Sequence, residues 1–268
     1  GNAALVRSAA GLLLVDAGLS ASQLVSRLQS AGVDPAELQG ILITHEHGDH
    51  TRGLGVFTRR YGIPVLANAQ TREVLRDALP SSSLWKIIPC GGTFTFAGFD
   101  IETFRVPHDA VDPMGFVFRA GGTALGMLSD LGHATTLVLS KMQALDALFI
   151  EANYDSTMLA NDTKRPWSTR QRIASRHGHL SNDQAAGIVQ QAASLALQRI
   201  VLGHLSRDCN SPEAARARVC AALAAAGFAQ TAVECASQDV PTPWFSIRTA
   251  QPAPVATAAF LWEQTELF

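Results

Sequence analysis

Apolar positions along this chain follow two alternating rhythms. Short runs of aliphatic and β-branched residues closed by glycine, proline or polar turns predict strands over 3–7, 11–15, 40–44 and 64–67. Between them, Ser20 followed by Gln23 forms a capping-box pattern, and the spacing of Leu24, Val25 and Leu28 predicts a helix ending near Gly32. Further helices are expected over 51–60 and 70–79. From Trp85 to Leu128 the rhythm becomes a meander of β runs (85–88, 93–97, 99–106, 114–120, 123–128) punctuated by Gly-Gly and Ala-Gly turns. Alternation then returns: helix 134–143, strand 146–151, helix 181–194, strand 199–203, helix 212–226 and strand 230–235. This order predicts an α/β fold of two mixed sheets with helices on the outer faces.

Composition narrows the setting without changing that picture. A chain of 268 residues, 47% of them hydrophobic, buries one large core, so residues 1–240 are expected to form a single domain, followed by a Pro/Ala-rich tail over 241–268. The net charge of −2 supplies no global pull toward nucleic acid, and such a contact would need a local basic patch. Cys90, Cys209, Cys220 and Cys235 are widely spaced without a CxxC pair, as expected of reduced packing thiols. No apolar run approaches the ~20 residues of a membrane span, and no leader pattern is seen, so a cytoplasmic protein without membrane contact is expected.

The first chemical signal is Thr44-His45-Glu46-His47-Gly48-Asp49-His50, directly after the apolar run Ile41-Leu42-Ile43. Residues two apart in an extended segment point the same way, so His45 and His47 can share one cation, while Asp49 and His50 at the turn into a helix can serve a second. Further candidate ligands stand where later β runs end: His108, Asp130 and His204.

In kind and order these residues resemble the motifs of the metallo-β-lactamase superfamily, over essentially the whole chain. The resemblance implies an αββα sandwich of the metallo-β-lactamase type carrying two divalent metal ions. By position, His45, His47 and His108 would hold the first ion, Asp49, His50 and His204 the second, and Asp130 would bridge them. Asp16 matches the superfamily's early aspartate, read either as support behind a ligand or as a buried structural acid. Glu46 and Gly48 read as spacers. Nitrogen and carboxylate donors without thiolate suit zinc, with manganese or iron as further occupants, and a pair of such ions activates water for hydrolysis.

The substrate must be read elsewhere. Between Thr163 and Asn182 stand five Lys or Arg residues, Arg170, Arg172 and Arg176 among them, with no acid and with Trp167 to stack on a base. Ser181-Asn182-Asp183-Gln184 then opens a helix, placing His179, Ser181 and Asn182 at an N-terminus suited to phosphate. Together with Glu151-Ala152-Asn153-Tyr154-Asp155 and Gly203-His204-Leu205-Ser206, the run Gly178-His179-Leu180-Ser181-Asn182 resembles the YycJ/WalJ-type exonuclease branch, related to tRNase Z. That resemblance implies a sequence-independent 5′ to 3′ DNA exonuclease of DNA repair, with Asp49 and His179 as catalytic candidates. His179 would assist the departing oxygen, and the arginines would draw in the backbone. There is no room between Asp130 and His204 for the inserted domain of the RNase J group, and no long Gly/Pro-rich arm of the tRNase Z kind. Other readings are a small cyclic phosphodiesterase resembling the phosphoribosyl type, and a glyoxalase-II-type thioester hydrolase. Gln264, Leu267 and Phe268 close the chain with the spacing of a bacterial sliding-clamp-binding peptide, which implies docking of the tail on such a partner.

Overall fold

The computed structural model describes residues 1–79 and 84–249. Two sheets face each other. The first has the order β1-β2-β3-β4-β5, built from β1 (Ala4–Arg7), β2 (Leu12–Val15), β3 (Gly40–Leu42), β4 (Val65–Ala67) and β5 (Trp85–Ile87), parallel throughout except for the β1–β2 hairpin. The second runs β12-β11-β10-β9-β8-β7-β6. Its antiparallel half is β6 (Gly92–Phe96), β7 (Phe99–Arg105), β8 (Met114–Ala120) and β9 (Thr123–Leu128). Its parallel half continues through β10 (Ala147–Glu151), β11 (Arg199–Gly203) and β12 (Ala232–Cys235).

Every residue of β2 is buried because both of its faces are covered: Leu12 and Leu14 pack under the helices, Leu13 and Val15 against the other sheet. The inner layer of Leu13, Val15, Leu42, Leu66, Phe99, Ile101, Phe116 and Phe118 joins the two sheets. Outside the first sheet lie α1 (Ala21–Ser30), α3 (Leu54–Tyr61) and α4 (Ala69–Leu75). Outside the second lie α5 (Thr136–Lys141), α8 (Asn182–Ala192) and α9 (Pro212–Ala225). The αββα sandwich expected from the sequence is the fold observed. Among the described residues no helix is long and apolar enough to cross a membrane, and all four cysteines are free.

Three local readings change. Trp85–Ile87 leaves the meander and extends the first sheet as a parallel partner of β4, because backbone pairing, which carries no periodic signature, chooses the sheet. The helix expected over 51–60 breaks into α2 (Gly48–Thr51) and α3, with Gly53 pressed so close to Leu19 O that a Cβ would lie 2.3 Å from it. The basic stretch carries one short helix, α7 (Trp167–Ile173), and another, α6 (Ser156–Ala160), precedes it.

The start of the expected tail packs on the body instead of hanging free. Trp244 Nε1 donates to Ala31 O at 2.8 Å, Arg7 stacks 4.8 Å over the Trp244 ring and Arg199 4.9 Å over Phe245. Residues 241–249 thus strap the open edge of the sandwich over a cavity of about 1060 Å³ lined by Leu14, Phe99, Phe118 and Phe149. The proposed clamp-docking residues Gln264, Leu267 and Phe268 lie outside the described residues.

Candidate metal centre

The strand ends build the site. Asp16 follows β2, His45 follows β3, Asp130 follows β9, Glu151 ends β10 and His204 follows β11, so five elements deliver their side chains to one rim of the sandwich. Three of these residues are strained: Asp16, Asp130 and His204 have φ of 61°, 55° and 54°. Left-handed backbone costs a non-glycine residue about 1–3 kcal/mol, which the surrounding sheets sustain, and here it turns the side chain off the strand and into the crevice.

Asp16 orders two candidate ligands at once. Its Oδ2 stands 2.7 Å from His50 Nδ1, and it accepts the Thr44 hydroxyl at 2.9–3.0 Å. Thr44 Oγ1 has one proton, which goes to Asp16, so the 3.0 Å contact with His45 Nδ1 is donated by His45. His45 Nε2 therefore carries the lone pair. Of the two expected roles for Asp16, support behind the ligands is the one its contacts describe. His108 is set by the same logic: Nδ1 donates to Gly178 O at 3.0 Å, leaving Nε2 for a cation. Gly178 has no room for a side chain, since a Cβ would meet the Arg172 and Ile173 carbonyls at 2.2 Å.

The donor set fits a metal. His45 Nε2, His108 Nε2 and His204 Nδ1 are buried and meet no hydrogen-bond partner among the described residues, an expensive arrangement unless a cation takes the lone pairs. His45, His47 and His108 offer donor atoms within 4.8 Å of one another, as do Asp49, His50 and His204, and His45, His50 and Asp130. The cluster expected from the sequence is thus brought together, with Asp130 between its halves: its oxygens lie 2.9 Å from His50 Nε2, 3.3 Å from His204 Nε2 and 3.9 Å from His108 Nε2.

Electrostatics follow from burial and these carboxylates. Burial, aided by the neighbouring His50, pushes His45 down to about 2, so it is neutral and ready to bind. Burial opposes charge on His50 as well, but Asp130 and Asp16 outweigh it and hold the ring protonated well above the ordinary range. Asp130 is likewise held well below the carboxylate range: His204 and His50 overcome its own burial. A cation that takes His50 Nε2 must displace the proton there. Calorimetric titration at pH 7 in buffers of different ionisation enthalpy should therefore show about one proton released with that cation, and weaker uptake as pH falls. No release would mean that His50 is neutral.

A second constellation borders the first. His179 Nδ1 donates to Glu151 Oε1 at 2.6 Å and lies 3.5 Å from Asp130 Oδ1, while Glu151, fully buried, also accepts Leu131 N–H at 3.0 Å. Burial opposes protonation of His179, yet the charge and hydrogen bond of Glu151, with Asp130 behind, raise it to about 9. In the sequence Glu151 stands only as the first residue of the run Glu151-Ala152-Asn153-Tyr154-Asp155, with no role of its own. Its place at the end of an apolar strand, where Asp130 and His204 also stand, was the available signal.

The expected substrate contacts fare unevenly. Ser181 and Asn182 are buried and spent on structure. Ser181 caps α8 through Gln184, and Asn182 bonds its backbone to Tyr154 O and its side chain to Asn210. The amides expected to cradle phosphate there are taken too, Ser181 N–H by Gln184 Oε1 at 2.8 Å, Asn182 N–H by Tyr154 O at 2.8 Å and Gln184 N–H by Ser181 Oγ at 3.1 Å. Arg170 ties α7 to Ala160 O at 2.6 Å. Arg172 and Arg176 do reach the rim, where Arg172 pairs with Asp109 at 2.6 Å and Arg176 meets His133 at 3.0 Å. Trp167 is 68% exposed. The stretch without acids is compensated in space, for Lys164 and Arg165 pair with Asp208, and Arg165 also with Asp162. Glu46 is more than a spacer: it accepts Val111 N–H at 2.9 Å and so ties the loop after His108 to the ligand turn.

A two-sheet α/β sandwich with a histidine-aspartate cluster at the strand ends defines a metal-dependent hydrolase of the metallo-β-lactamase type. The family model for the Beta-lactamase superfamily domain matches residues 12–205, and the chain belongs to that family. It is 36% identical over 219 residues to the exodeoxyribonuclease YycJ of Bacillus anthracis, covering 81% of this chain and 82% of the relative. The exodeoxyribonuclease WalJ of Streptococcus pneumoniae matches equally, at 36% identity over 80% and 81% of the two chains. Among solved structures, the metallo-β-lactamase fold protein YhfI of Bacillus subtilis superposes with a TM-score of 0.67 at 17% identity over 87% of each chain, a likeness of fold.

Proposed function

We propose that this chain binds two divalent cations and degrades DNA from a 5′ end without sequence preference, as a DNA-repair exonuclease would. The observation that carries the reading is the Glu151–His179 pair beside the ligand cluster, which supplies a proton donor 3.5 Å from Asp130 Oδ1. The relatives that are 36% identical over 219 residues and are named exodeoxyribonucleases support it. When bound, the cations supply Lewis acidity toward the phosphoryl group and an activated water.

The chain's own residues do the rest. Glu151 fixes the His179 ring by Nδ1 and keeps it protonated, which leaves Nε2 to give a proton to the departing ester oxygen. Asp49, half-exposed beside His50, is the carboxylate of the cluster open to substrate, and we assign it both a ligand and a proton-accepting role. Arg172 and Arg176 meet the phosphate backbone at the rim, Arg172 exchanging Asp109 for a phosphate. Trp167 offers its exposed face to a base. Arg170, Ser181 and Asn182 serve by holding α7 and α8 in place.

The test is incubation with Mn²⁺ or Zn²⁺ and labelled single- and double-stranded DNA and RNA, with and without a 5′-phosphate. Stepwise release of nucleotides from the 5′ end of DNA is expected. Inert nucleic acids alongside turnover of a cyclic phosphodiester or a glutathione thioester would overturn the proposal. Base stacking is worth about 1–3 kcal/mol per base, so Trp167→Ala should raise KM for single strands ~5–150-fold with kcat little changed. An unchanged KM would remove Trp167 from the DNA path.

A further inference from the structure

Asn2 enters the cluster from outside the ligand motifs. Its backbone is held on both sides: the N–H donates to Asp49 O at 2.7 Å and the carbonyl accepts from Gly18 N–H at 2.8 Å. The side chain is thereby aimed at the Asp49–His50 half of the site, with Nδ2 at 3.1 Å from Asp49 Oδ2 and 2.9 Å from His50 Nε2.

Hydrogen bonding alone does not account for this placement. His50 gives Nδ1 to Asp16, and its Nε2 stands 2.9 Å from Asp130 Oδ2. If Nε2 carries a proton for Asp130, it meets the Asn2 amide donor to donor. If it carries a lone pair for Asn2, it meets the Asp130 carboxylate acceptor to acceptor. Turning the carboxamide half a rotation, which exchanges two nearly equivalent atoms, puts Oδ1 toward His50 but sets it against Asp49 Oδ2. A divalent cation is the one partner that His50 Nε2, both carboxylates and an amide oxygen accept together.

We propose that Asn2 is a ligand of the cation held by Asp49, His50 and His204, through its side-chain oxygen. The proposal rests on the two-cation reading above. A neutral hard oxygen raises the coordination number beyond four, which favours Mn²⁺ over Zn²⁺ at that position.

Asn2→Ala and Asn2→Asp are compared with the unaltered chain by calorimetric titration with Mn²⁺ and by the visible spectrum with Co²⁺, with thermal melting before metal addition as the fold control. Asn2→Ala is expected to weaken one of the two dissociation constants ~10–100-fold, the size seen when a group supporting a metal site is removed. The other constant should stay within about twofold, and Co²⁺ absorption should intensify as a ligand is lost. Asn2→Asp, which keeps an oxygen in place, should restore the affinity. Unaltered constants in Asn2→Ala would overturn the proposal. So would an Asn2→Asp chain that binds more weakly than Asn2→Ala, the result expected if Asn2 only donates to Asp49. An unaltered chain that takes up fewer than two cations would instead overturn the two-cation reading, and this ligand with it.

Discussion

Replacing His179 with alanine is expected to lower turnover of labelled DNA ~10²–10⁴-fold, the usual worth of a positioned general acid, while both cations stay bound. The ring is tied by Nδ1 to Glu151 at 2.6 Å, so its proton-bearing Nε2 is presented and its removal leaves the His45, His47, His50, His108 and His204 donors untouched. Metal analysis of the variant decides between two chemistries, because Asp130, Glu151, His179 and His204 also lie close enough to share a cation. Loss of one metal equivalent would make His179 a ligand, and undiminished turnover would remove it from the mechanism. The pH profile adds a check of sign. The acid form is present below about 9, where Glu151 and Asp130 outweigh burial, so turnover should fall as pH rises through that value.

Glu151→Gln should cost turnover at pH 7 almost as much, ~10²-fold or more, although Glu151 touches neither substrate nor the His45–His108 donors. Glutamine keeps an oxygen for Leu131 N–H but removes the charge that holds the proton on His179. Burial then governs the ring and drives its proton off, so the residual activity should move to lower pH. Because the two side chains work as a unit, the Glu151→Gln/His179→Ala double variant should be no slower than His179→Ala alone. Additive losses would show two independent roles, and a Glu151→Gln profile with an unshifted alkaline limb would show that the pair does not set the proton.

Sequence and structure agree best where the chemistry is local. The ligand turn from Thr44 to His50 was legible because an apolar strand followed by alternating histidines has few other uses, and His108, Asp130 and His204 were legible as polar ends of apolar strands. The Ser20 and Ser181 capping boxes were also readable, and both form. The second box is local too, but its use is not: the helix start is closed by Asn210 and Tyr154, which occupy Asn182 from distant positions.

The chain's sequence by itself determined the layered fold, through apolar periods that require two faces of cover, and the metal-binding turn, through donor spacing within one segment. Tertiary structure alone decided the sheet that Trp85–Ile87 joins, the strap formed by residues 241–249, the work of Glu151 and the pairing of the basic stretch with acids from elsewhere in the chain. Charge and burial act through space and not along the chain. Arg172 meets Asp109 across 63 positions and Lys164 meets Asp208 across 44, so a run without acids in sequence is paired with acids in the fold.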